Sequence, residues 1–357
     1  MKIRKLFMKN YKLSNNDLYC ENLKAILLRE LQKPLVIEEV PDPSPAYGEA
    51  VVRVKAVGIC HSDLEIIDGK IPPAKLPLIL GHEVAGVVES VGEGVKHLKP
   101  GDRVALSWLW WTCGRCRYCL VGRENICENQ LNTGYTVDGG YAELVKAPAT
   151  HLIKIPDNVP FPEATSATDA VATPYRALTF ASRVMPGDLV SVFGIGGLGH
   201  NAVQVAKALG AKVVAVDVLE SKLEFAKEVG ADYLINASKE DPVKAIKDLG
   251  GADVAITTVE SLKAMRQAYD SLRPGGTLVL IGLPVGELSL PVIDWILKDI
   301  KVVGNIGFTR YDIMRSLELV SSGKVRPRVE LFKFEEVNTA LEKLRKGEVK
   351  GRAVLTF

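Results

Sequence analysis

The chain has 357 residues, of which 47% are hydrophobic and 25% are charged, and its formal net charge is +2. The length favours two domains over one, and the composition is that of a soluble globular protein. The small net charge gives no support for a nucleic-acid partner, and no apolar run reaches the ~18 residues of a membrane span. We therefore expect neither a nucleic-acid nor a membrane partner.

The N-terminus and the cysteines bear on the compartment. Residues 1–22 are basic at their start and lack the apolar stretch of a secretory signal. Four of the six cysteines form one close cluster, without the spacing of a disulfide framework. Clustered thiols suit a reducing environment, so we expect a cytoplasmic protein.

The first half of the chain is predicted to form strands and loops. Runs rich in β-branched residues at 34–40 and 50–57 flank a turn-rich segment. Apolar runs at 84–91 and 103–106 continue the pattern. These runs indicate a small β-rich domain without long helices.

The second half, from about residue 173, alternates between strands and helices. Strands are predicted at 189–193, 212–216, 233–235, 254–257 and 277–281. Helices are predicted at 198–209 and 219–229, and end at Gly210 and Gly230. This alternation predicts a doubly wound parallel sheet with helices on both faces. The last segment, from about residue 307, is predicted to contain two helices (311–320 and 334–345) and a strand (353–357).

A cluster of four cysteines is the strongest chemical signal in the chain. The spacing is C-x2-C-x2-C-x7-C, with the thiols at Cys113, Cys116, Cys119 and Cys127. Four thiolates at such spacing can hold one Zn²⁺ tetrahedrally and leave no open position for a substrate. The alternative is a set of reduced or disulfide-paired cysteines.

A glycine-rich turn joins the first predicted strand and helix of the alternating half. It has the form G-x-G-x-x-G and comprises Gly194, Gly196, Gly197, Leu198 and Gly199. In this context it indicates a dinucleotide site, because backbone N–H groups can approach a pyrophosphate at the helix N-terminus. Asp217, 18 residues after Gly199, ends the second strand. A carboxylate there binds a ribose 2′-hydroxyl and favours NAD over NADP. The alternative is a glycine-rich turn with a surface Asp.

Further motifs give the chain a family resemblance. Cys60 and His82, taken singly, are more often structural. Together with the two sites above, however, they belong to motifs that stand in family order: G-I-C-H-S-D from Gly58, G-H-E-V-A-G from Gly81, G-D-R-V from Gly101 and Y-T-V-D-G-G-Y-A-E from Tyr135. Over residues 24–357 the chain resembles the zinc-dependent alcohol dehydrogenases of the medium-chain dehydrogenase/reductase family.

The resemblance implies a fold, cofactors and partners. It implies an α/β chain with a GroES-like β-rich catalytic domain at 1–171, which contains a structural zinc lobe at 108–130. A Rossmann domain at 172–306 and a return to the catalytic domain at 307–357 follow. It also implies two Zn²⁺ ions per chain, NAD(H), a small alcohol or aldehyde as substrate, and a homotetramer or else a homodimer. Residues 1–23 extend beyond the usual start of the family.

The resemblance also implies roles for single residues. Cys60 and His82 match catalytic zinc ligands, and the four clustered cysteines match ligands of the structural zinc. Ser62 matches the hydroxyl that receives the alcohol proton, and Asp63 matches the carboxylate that orients the ligand histidine. Glu83 matches a glutamate that approaches the zinc.

Three more positions match cofactor contacts. His61 and Arg352 correspond to residues that meet the cofactor pyrophosphate, and Lys222 to one beside the adenosine ribose. Trp108 corresponds to a side chain that lines the substrate pocket, where a large ring would favour small or slender alcohols.

Two positions depart from the family pattern. Asp169 stands where the third catalytic ligand is usually a cysteine. Carboxylate oxygen is an accepted zinc ligand, so we expect Asp169 to bind the metal; the alternative is a capping or surface Asp. Glu65 stands where many relatives have a histidine that passes the proton to solvent. Glu65 is either that terminal base or a solvated surface residue.

The combined reading is an NAD-dependent alcohol dehydrogenase. A dehydrogenase directed at polyols or aldehydes is the alternative within the enzymes, and a zinc-independent reductase would leave Cys60 and His82 unexplained. A non-catalytic NAD-binding sensor or structural protein is the alternative outside them.

Overall fold

The computed structural model describes residues 22–357, and most of the N-terminal extension lies outside these residues. The strands are β1 Asn22–Leu28, β2 Val36–Pro41, β3 Glu49–Ile59, β4 Leu78–Ile79, β5 Glu83–Val91, β6 Arg103–Leu106, β7 Leu109–Trp111, β8 Leu131–Asn132, β9 Leu144–Pro148, β10 Ile153–Lys154, β11 Leu189–Phe193, β12 Lys212–Asp217, β13 Tyr233–Asn236, β14 Ala252–Thr257, β15 Leu272–Leu280, β16 Lys301–Gly304, β17 Val329–Lys333 and β18 Arg352–Thr356. The helices are α1 His61–Ile67, α2 Arg117–Leu120, α3 Phe161–Ala167, α4 Ala172–Arg176, α5 Gly199–Ala208, α6 Glu220–Glu228, α7 Pro242–Asp248, α8 Leu262–Asp270, α9 Val292–Leu297, α10 Arg310–Ser321 and α11 Val337–Arg345.

A seven-stranded sheet organises the β-rich half. Its order is β10-β6-β5-β3-β18-β17, and β9 also pairs with β3. The long strand β3 is therefore the centre of the sheet, and Val54 and Val57 on it are fully buried in the largest core cluster. A three-stranded sheet in the order β2-β1-β4 lies beside it. The helices of this half have seven residues or fewer, as predicted.

A six-stranded parallel sheet forms the alternating half. Its order is β13-β12-β11-β14-β15-β16, and every pairing in it is parallel. Val190 and Val192 of β11 pack into a core on one face, while Leu189 and Phe193 pack into a core on the other. Such two-sided burial explains why the strand reads as a continuous apolar run. The order of the strands reverses between β11 and β14, the place where ligands bind in this kind of sheet.

The C-terminal segment returns to the first sheet. After β16 the chain forms α10, β17, α11 and β18 in turn, and β18 pairs antiparallel with β3, with Ala353 opposite Ile59. The predicted strand at 353–357 is therefore observed, although it begins one residue earlier. This return brings Arg352, at the start of β18, beside the centre of the β-rich half.

The expected fold class is confirmed, and the differences concern the ends of elements and strands that were not predicted, such as β1, β16 and β17. The strand predicted at 277–281 begins earlier, at Leu272, and an irregularity in register separates its first pair, Ala252 with Leu272, from the rest. The helix predicted at 334–345 begins as a 3-10 turn, Phe334–Glu336, and only then becomes α11. No helix among residues 22–357 is long and apolar enough to cross a bilayer.

Candidate active site

Four side chains from three segments meet next to strand β3. Cys60 follows β3 and precedes α1, His82 and Glu83 stand at the start of β5, and Asp169 lies between α3 and α4. One ligand atom from each lies within 4.8 Å of those of the others. The structure therefore brings together all four residues that the sequence suggested for the catalytic zinc.

The distances in this cluster fit a small tetrahedral metal. Asp169 Oδ2 is 3.6 Å from Cys60 Sγ and 3.8 Å from His82 Nε2. Ligand bonds of 2.0–2.3 Å to Zn²⁺ predict separations of about 3.3–3.8 Å between ligand atoms. A thiolate, an imidazole and a carboxylate that point at one volume form a donor set that zinc accepts.

The cluster is held together electrostatically. Burial opposes the charged form of the Cys60 thiol, but the nearby Arg352 guanidinium contributes to an overall lowering of its pKa. Burial likewise opposes charge on His82, yet Asp63 and Asp169 raise its pKa well above the usual value. Burial would raise the pKa of Asp169 too, but His82 lowers it. The carboxylates therefore draw positive charge into the site.

Asp63 is placed to orient the ring of His82. It is fully buried, and its Oδ2 accepts hydrogen bonds from the backbone N–H of Cys60 (2.8 Å) and from the hydroxyl of Tyr141 (3.0 Å). Its other oxygen lies 3.6 Å from His82 Nδ1, and neither of these buried atoms has a hydrogen-bond partner. A small approach would join them and leave Nε2 free for a metal.

Arg352 lies between the glycine-rich turn and the group of Cys60, His82, Glu83 and Asp169, which we call the metal cluster. Its Nε donates to Glu83 Oε2 (2.9 Å), its Nη2 pairs with Glu83 Oε1 and donates to Asp169 Oδ2 (3.0 Å), and the side chain is 2% exposed. A Cβ on Gly197 would lie 2.9 Å from Arg352 Nη1. The guanidinium that the resemblance assigned to the pyrophosphate is thus paired with two buried carboxylates, and its contact with a cofactor stays a prediction.

Space for Glu83 comes from a glycine in the neighbouring strand. A Cβ on Gly58 would lie 2.0 Å from Glu83 Oε2. Any side chain at Gly58 would therefore displace Glu83 and its ion pair with Arg352. This close approach explains a glycine near the C-terminal end of β3, since glycine otherwise weakens a strand.

Ser62 and Glu65 lie on α1, which starts at the metal cluster. Ser62 Oγ is 3.1 Å from Cys60 Sγ. Glu65 is only 8% exposed and so is not the solvated surface residue of the alternative reading. Burial and the neighbouring carboxylate of Glu260 raise the pKa of Glu65 to about 7, while Lys70 opposes the shift.

Trp108 is adjacent to the metal cluster. Its ring meets the ring of His82 edge-on with 5.2 Å between centroids, and stacks on Tyr135 at 5.4 Å. The role of Trp108 in lining the substrate pocket stays a prediction. Tyr135 and Tyr141, both in a quoted motif, were not singled out by sequence reasoning, because an aromatic side chain alone does not reveal what it contacts.

The four clustered cysteines converge in a lobe between β7 and β8. Cys116 Sγ is 3.5 Å from Cys119 Sγ and 3.9 Å from Cys127 Sγ, and Cys113 Sγ is 4.0 Å from Cys119 Sγ. The sulfurs are unbonded to one another, and about 3.8 Å separates two sulfurs of a tetrahedral site with Zn–S bonds of 2.3 Å. The arrangement fits a metal and contradicts the disulfide alternative. Backbone N–H groups of Arg115 and Cys116 lower the pKa of Cys113 to about 6.

The glycine-rich turn joins β11 to α5, as predicted. Gly194 has φ +94°, and a Cβ on Gly199 would lie 1.8 Å from Gly194 O, so the tight turn requires both. A Cβ on Gly196 would meet no atom within 4 Å, so open space faces the helix N-terminus there. Such a turn suits a bound pyrophosphate.

Asp217 is held rigidly at the end of β12. Its Oδ2 accepts from Ile195 N (2.8 Å), and its Oδ1 accepts from Val218 N (2.8 Å) and Leu219 N (3.1 Å). The carboxylate thus stands beside the glycine-rich turn, as the dinucleotide motif requires.

The other two predicted cofactor contacts differ in their surroundings. Lys222, on α6, donates from Nζ to Val349 O (2.9 Å) and so joins the nucleotide half to the C-terminal segment. Burial lowers its pKa. His61 begins α1 and is exposed. Their contacts with a cofactor stay predictions.

Comparison with known proteins agrees with this geometry. Residues 46–157 match the family model of the alcohol dehydrogenase GroES-like domain, and residues 197–322 match that of the zinc-binding dehydrogenases. An alcohol dehydrogenase of Geobacillus stearothermophilus is 48% identical over 335 residues, which cover 93% of this chain and 98% of that protein. One from Moraxella sp. (strain TAE123) is 43% identical over 94% of this chain and 99% of its own.

Solved structures give the same result. The alcohol dehydrogenase of the hyperthermophilic archaeon Aeropyrum pernix superposes with a TM-score of 0.86 at 38% identity, covering 94% of this chain and 100% of that one. Acetophenone reductase from Geotrichum candidum, in complex with NAD, gives 0.84 at 34% identity, covering 94% and 98%. The chain belongs to the zinc-binding alcohol dehydrogenases of the medium-chain dehydrogenase/reductase family.

Proposed function

We propose that this protein interconverts small alcohols and their aldehydes or ketones with NAD(H) as the hydride carrier. The observation that carries the proposal is the convergence of Cys60, His82 and Asp169 on one volume at tetrahedral spacing. These three residues would hold a catalytic zinc, which acts as a Lewis acid on the oxygen of the substrate. The four-cysteine lobe would hold a second zinc.

The protein residues supply position, charge and a path for the proton. Ser62 lies next to Cys60 and would accept the proton of the alcohol. Trp108 beside His82 would restrict the pocket to slender substrates. A bound nicotinamide dinucleotide supplies the hydride chemistry. The dinucleotide would bind at the glycine-rich turn, which lies where the strand order of the parallel sheet reverses.

The support for NAD over NADP is Asp217. Its carboxylate is fixed by three backbone N–H groups and is placed to bind a 2′-hydroxyl and repel a 2′-phosphate. The NAD complex of acetophenone reductase shows that a similar fold binds this cofactor.

The proposal predicts NADH formation, read by its absorbance, with a panel of primary alcohols, secondary alcohols and polyols. We expect activity on primary or secondary alcohols, its loss on treatment with a zinc chelator, and kcat/KM for NADP about 100-fold below that for NAD, equivalent to about 2.7 kcal/mol of charge repulsion. A preference for polyols would favour the alternative substrate class. NADH binding without turnover of any alcohol would favour the non-catalytic alternative.

A metal assay tests Asp169. Asp169→Ala removes one of three protein ligands, so zinc measured by elemental analysis should fall from two ions per chain to about one. The matched variant Asp169→Cys offers the thiolate usual in relatives and should retain both ions. Two ions per chain in Asp169→Ala would end the assignment.

Glu65 is the proposed last step of the proton path. It is buried on α1 one turn after Ser62, and Glu260, in the loop after β14, faces it from the nucleotide half. Glu260 is itself within 3.8 Å of Lys70 Nζ. Burial and the carboxylate of Glu260 raise the pKa of Glu65 to about 7, the range in which a histidine would operate. An ionised Glu65 accepts a proton, so oxidation should accelerate as the pH rises through this value.

The pH profile of kcat/KM for alcohol oxidation tests this role. Glu65→Gln should abolish the inflection near pH 7. Glu260→Gln removes a negative charge and should move the inflection to lower pH, while Lys70→Met removes a positive charge and should move it higher. An unchanged profile in Glu65→Gln would exclude the role.

The surface of the nucleotide half supports a homo-oligomer. Helix α9 exposes Val292, Ile293, Ile296 and Leu297 at 65–77% of their surface. Beside it, β16 ends the parallel sheet and, among residues 22–357, pairs with β15 alone. A free edge beside an apolar helix is a surface that a second copy can cover through a two-fold contact. We infer that two copies join here, and that any tetramer pairs such dimers.

Sedimentation velocity tests the surface. Ile296→Glu combined with Leu297→Glu should place charges in the contact and shift the protein to a smaller species. Met185→Glu is the matched control, because Met185 is equally exposed (63%) but lies outside this surface. An unchanged sedimentation coefficient in the double variant would contradict the contact.

Domain limits and location complete the proposal. The sheets support the predicted limits within the described residues, with a catalytic domain up to residue 171, a nucleotide domain at 172–306 and a return at 307–357, while residues 1–21 of the predicted catalytic domain lie outside them. The cysteines of the described residues are free thiols, which supports a cytoplasmic location, since that compartment keeps thiols reduced.

A further inference from the structure

His200 is a buried histidine that lies outside the metal cluster. It stands in the first turn of α5, directly after the glycine-rich turn, and its exposed fraction is 0%. Its Nδ1 is 2.9 Å from Gly196 O, and its Nε2 is 3.3 Å from the backbone nitrogen of Arg328. A carbonyl only accepts and a backbone N–H only donates, so the ring is neutral, with its proton on Nδ1.

Gln204, one helical turn later, contacts the same segment. Its Oε1 accepts from Arg326 N (2.8 Å), and its Nε2 donates to Arg326 O (3.3 Å). The two side chains of α5 therefore bind the backbone of residues 326–328. This segment leads directly into β17, in the sheet of the catalytic half.

The backbone contacts continue to the metal cluster. Arg328 O accepts from the backbone N–H of Arg352 (2.8 Å), which begins β18 beside β17. The guanidinium of Arg352 then binds Glu83 and Asp169. A single series of contacts thus runs from Gly196 through the ring of His200 to the residue that neutralises the metal-binding carboxylates.

We propose that His200 is a positioning residue that, with Gln204, fixes the glycine-rich turn relative to Arg352 and so sets the affinity for the dinucleotide. The inference rests on the proposed NAD site. Packing alone does not explain the ring: it lies 5.2 Å from Phe225, a contact that leucine or phenylalanine would make equally well. Both ring nitrogens instead bind backbone groups, from the two halves of the molecule.

Three substitutions at His200 separate the two bonds. His200→Phe keeps the ring and loses both bonds. His200→Asn can keep the donor to Gly196, and His200→Gln can keep an acceptor for Arg328 N. If the ring acts as a bridge, each variant should raise the Kd of NADH, titrated by its fluorescence in the zinc-loaded protein, by about tenfold, the size of one or two net hydrogen bonds. The Kd of ADP-ribose, which lacks the nicotinamide, should rise equally.

Two further variants keep the test independent of folding. Gln204→Leu loses the contacts to Arg326 while the ring remains, and it should also weaken NADH binding. His151→Phe is the matched control: it removes a buried histidine bonded to the backbone N–H of Thr112 (3.0 Å), so its Tm should fall while its Kd for NADH stays unchanged.

The outcomes separate this inference from the proposed function. Lower Tm with unchanged Kd values for NADH and ADP-ribose in His200→Phe would overturn the positioning role. Wild-type affinity in His200→Gln or His200→Asn would overturn the bridge. A wild-type protein that binds neither NADH nor ADP-ribose would instead refute the proposed NAD site.

Discussion

The buried negative charge beside β3 is the constraint on which the site depends. Asp63 and Glu83 are fully buried, Asp169 nearly so, and a thiol with a lowered pKa lies among them. Arg352 balances only part of this charge. Burying unpaired carboxylates costs several kcal/mol each, so the arrangement favours a dication in the volume between Cys60, His82 and Asp169.

This constraint also explains why the C-terminal segment returns from the nucleotide half to the catalytic half. The charges come from the start of α1 and the residue before it, from β5 and from the loop before α4, whereas the guanidinium that balances part of them begins β18, after the whole nucleotide half. The C-terminal segment therefore has two effects: it adds β17 and β18 to the sheet, and it places a cation beside the buried carboxylates. It carries Arg352 to a position where the guanidinium touches both Glu83 and the surroundings of Gly197. The guanidinium of Arg352 is bonded to Glu83 and Asp169, and it also lies close to the backbone of the glycine-rich turn at Gly197.

Much of the fold and of the candidate site could be predicted from the sequence, because the signals lie in short continuous segments. The C-x2-C-x2-C-x7-C spacing and the G-x-G-x-x-G turn are continuous in the chain, so their geometry follows from short-range rules. The alternation of strands and helices predicted the parallel sheet for the same reason. Contacts between distant segments could not be derived in this way. Nothing near Glu65 in the sequence indicates Glu260, and nothing near His200 indicates Arg328. The resemblance named Arg352 as a cofactor contact, but its pairing with Glu83 depends on the absence of a side chain at Gly58.

The two departures from the family pattern have a common physical feature. At both positions, 169 and 65, a carboxylate replaces a softer or more basic group, and its neighbours compensate. His82 and the Thr173 hydroxyl, which donates to Asp169 Oδ1 (2.7 Å), keep Asp169 ionised and correctly turned. Burial and Glu260 have the opposite effect on Glu65 and raise its pKa towards that of a histidine. In the function that we propose, the first carboxyl would be held as an anion fit for a metal, and the second would accept a proton near neutral pH. Their environments, and not their residue types, separate the two roles.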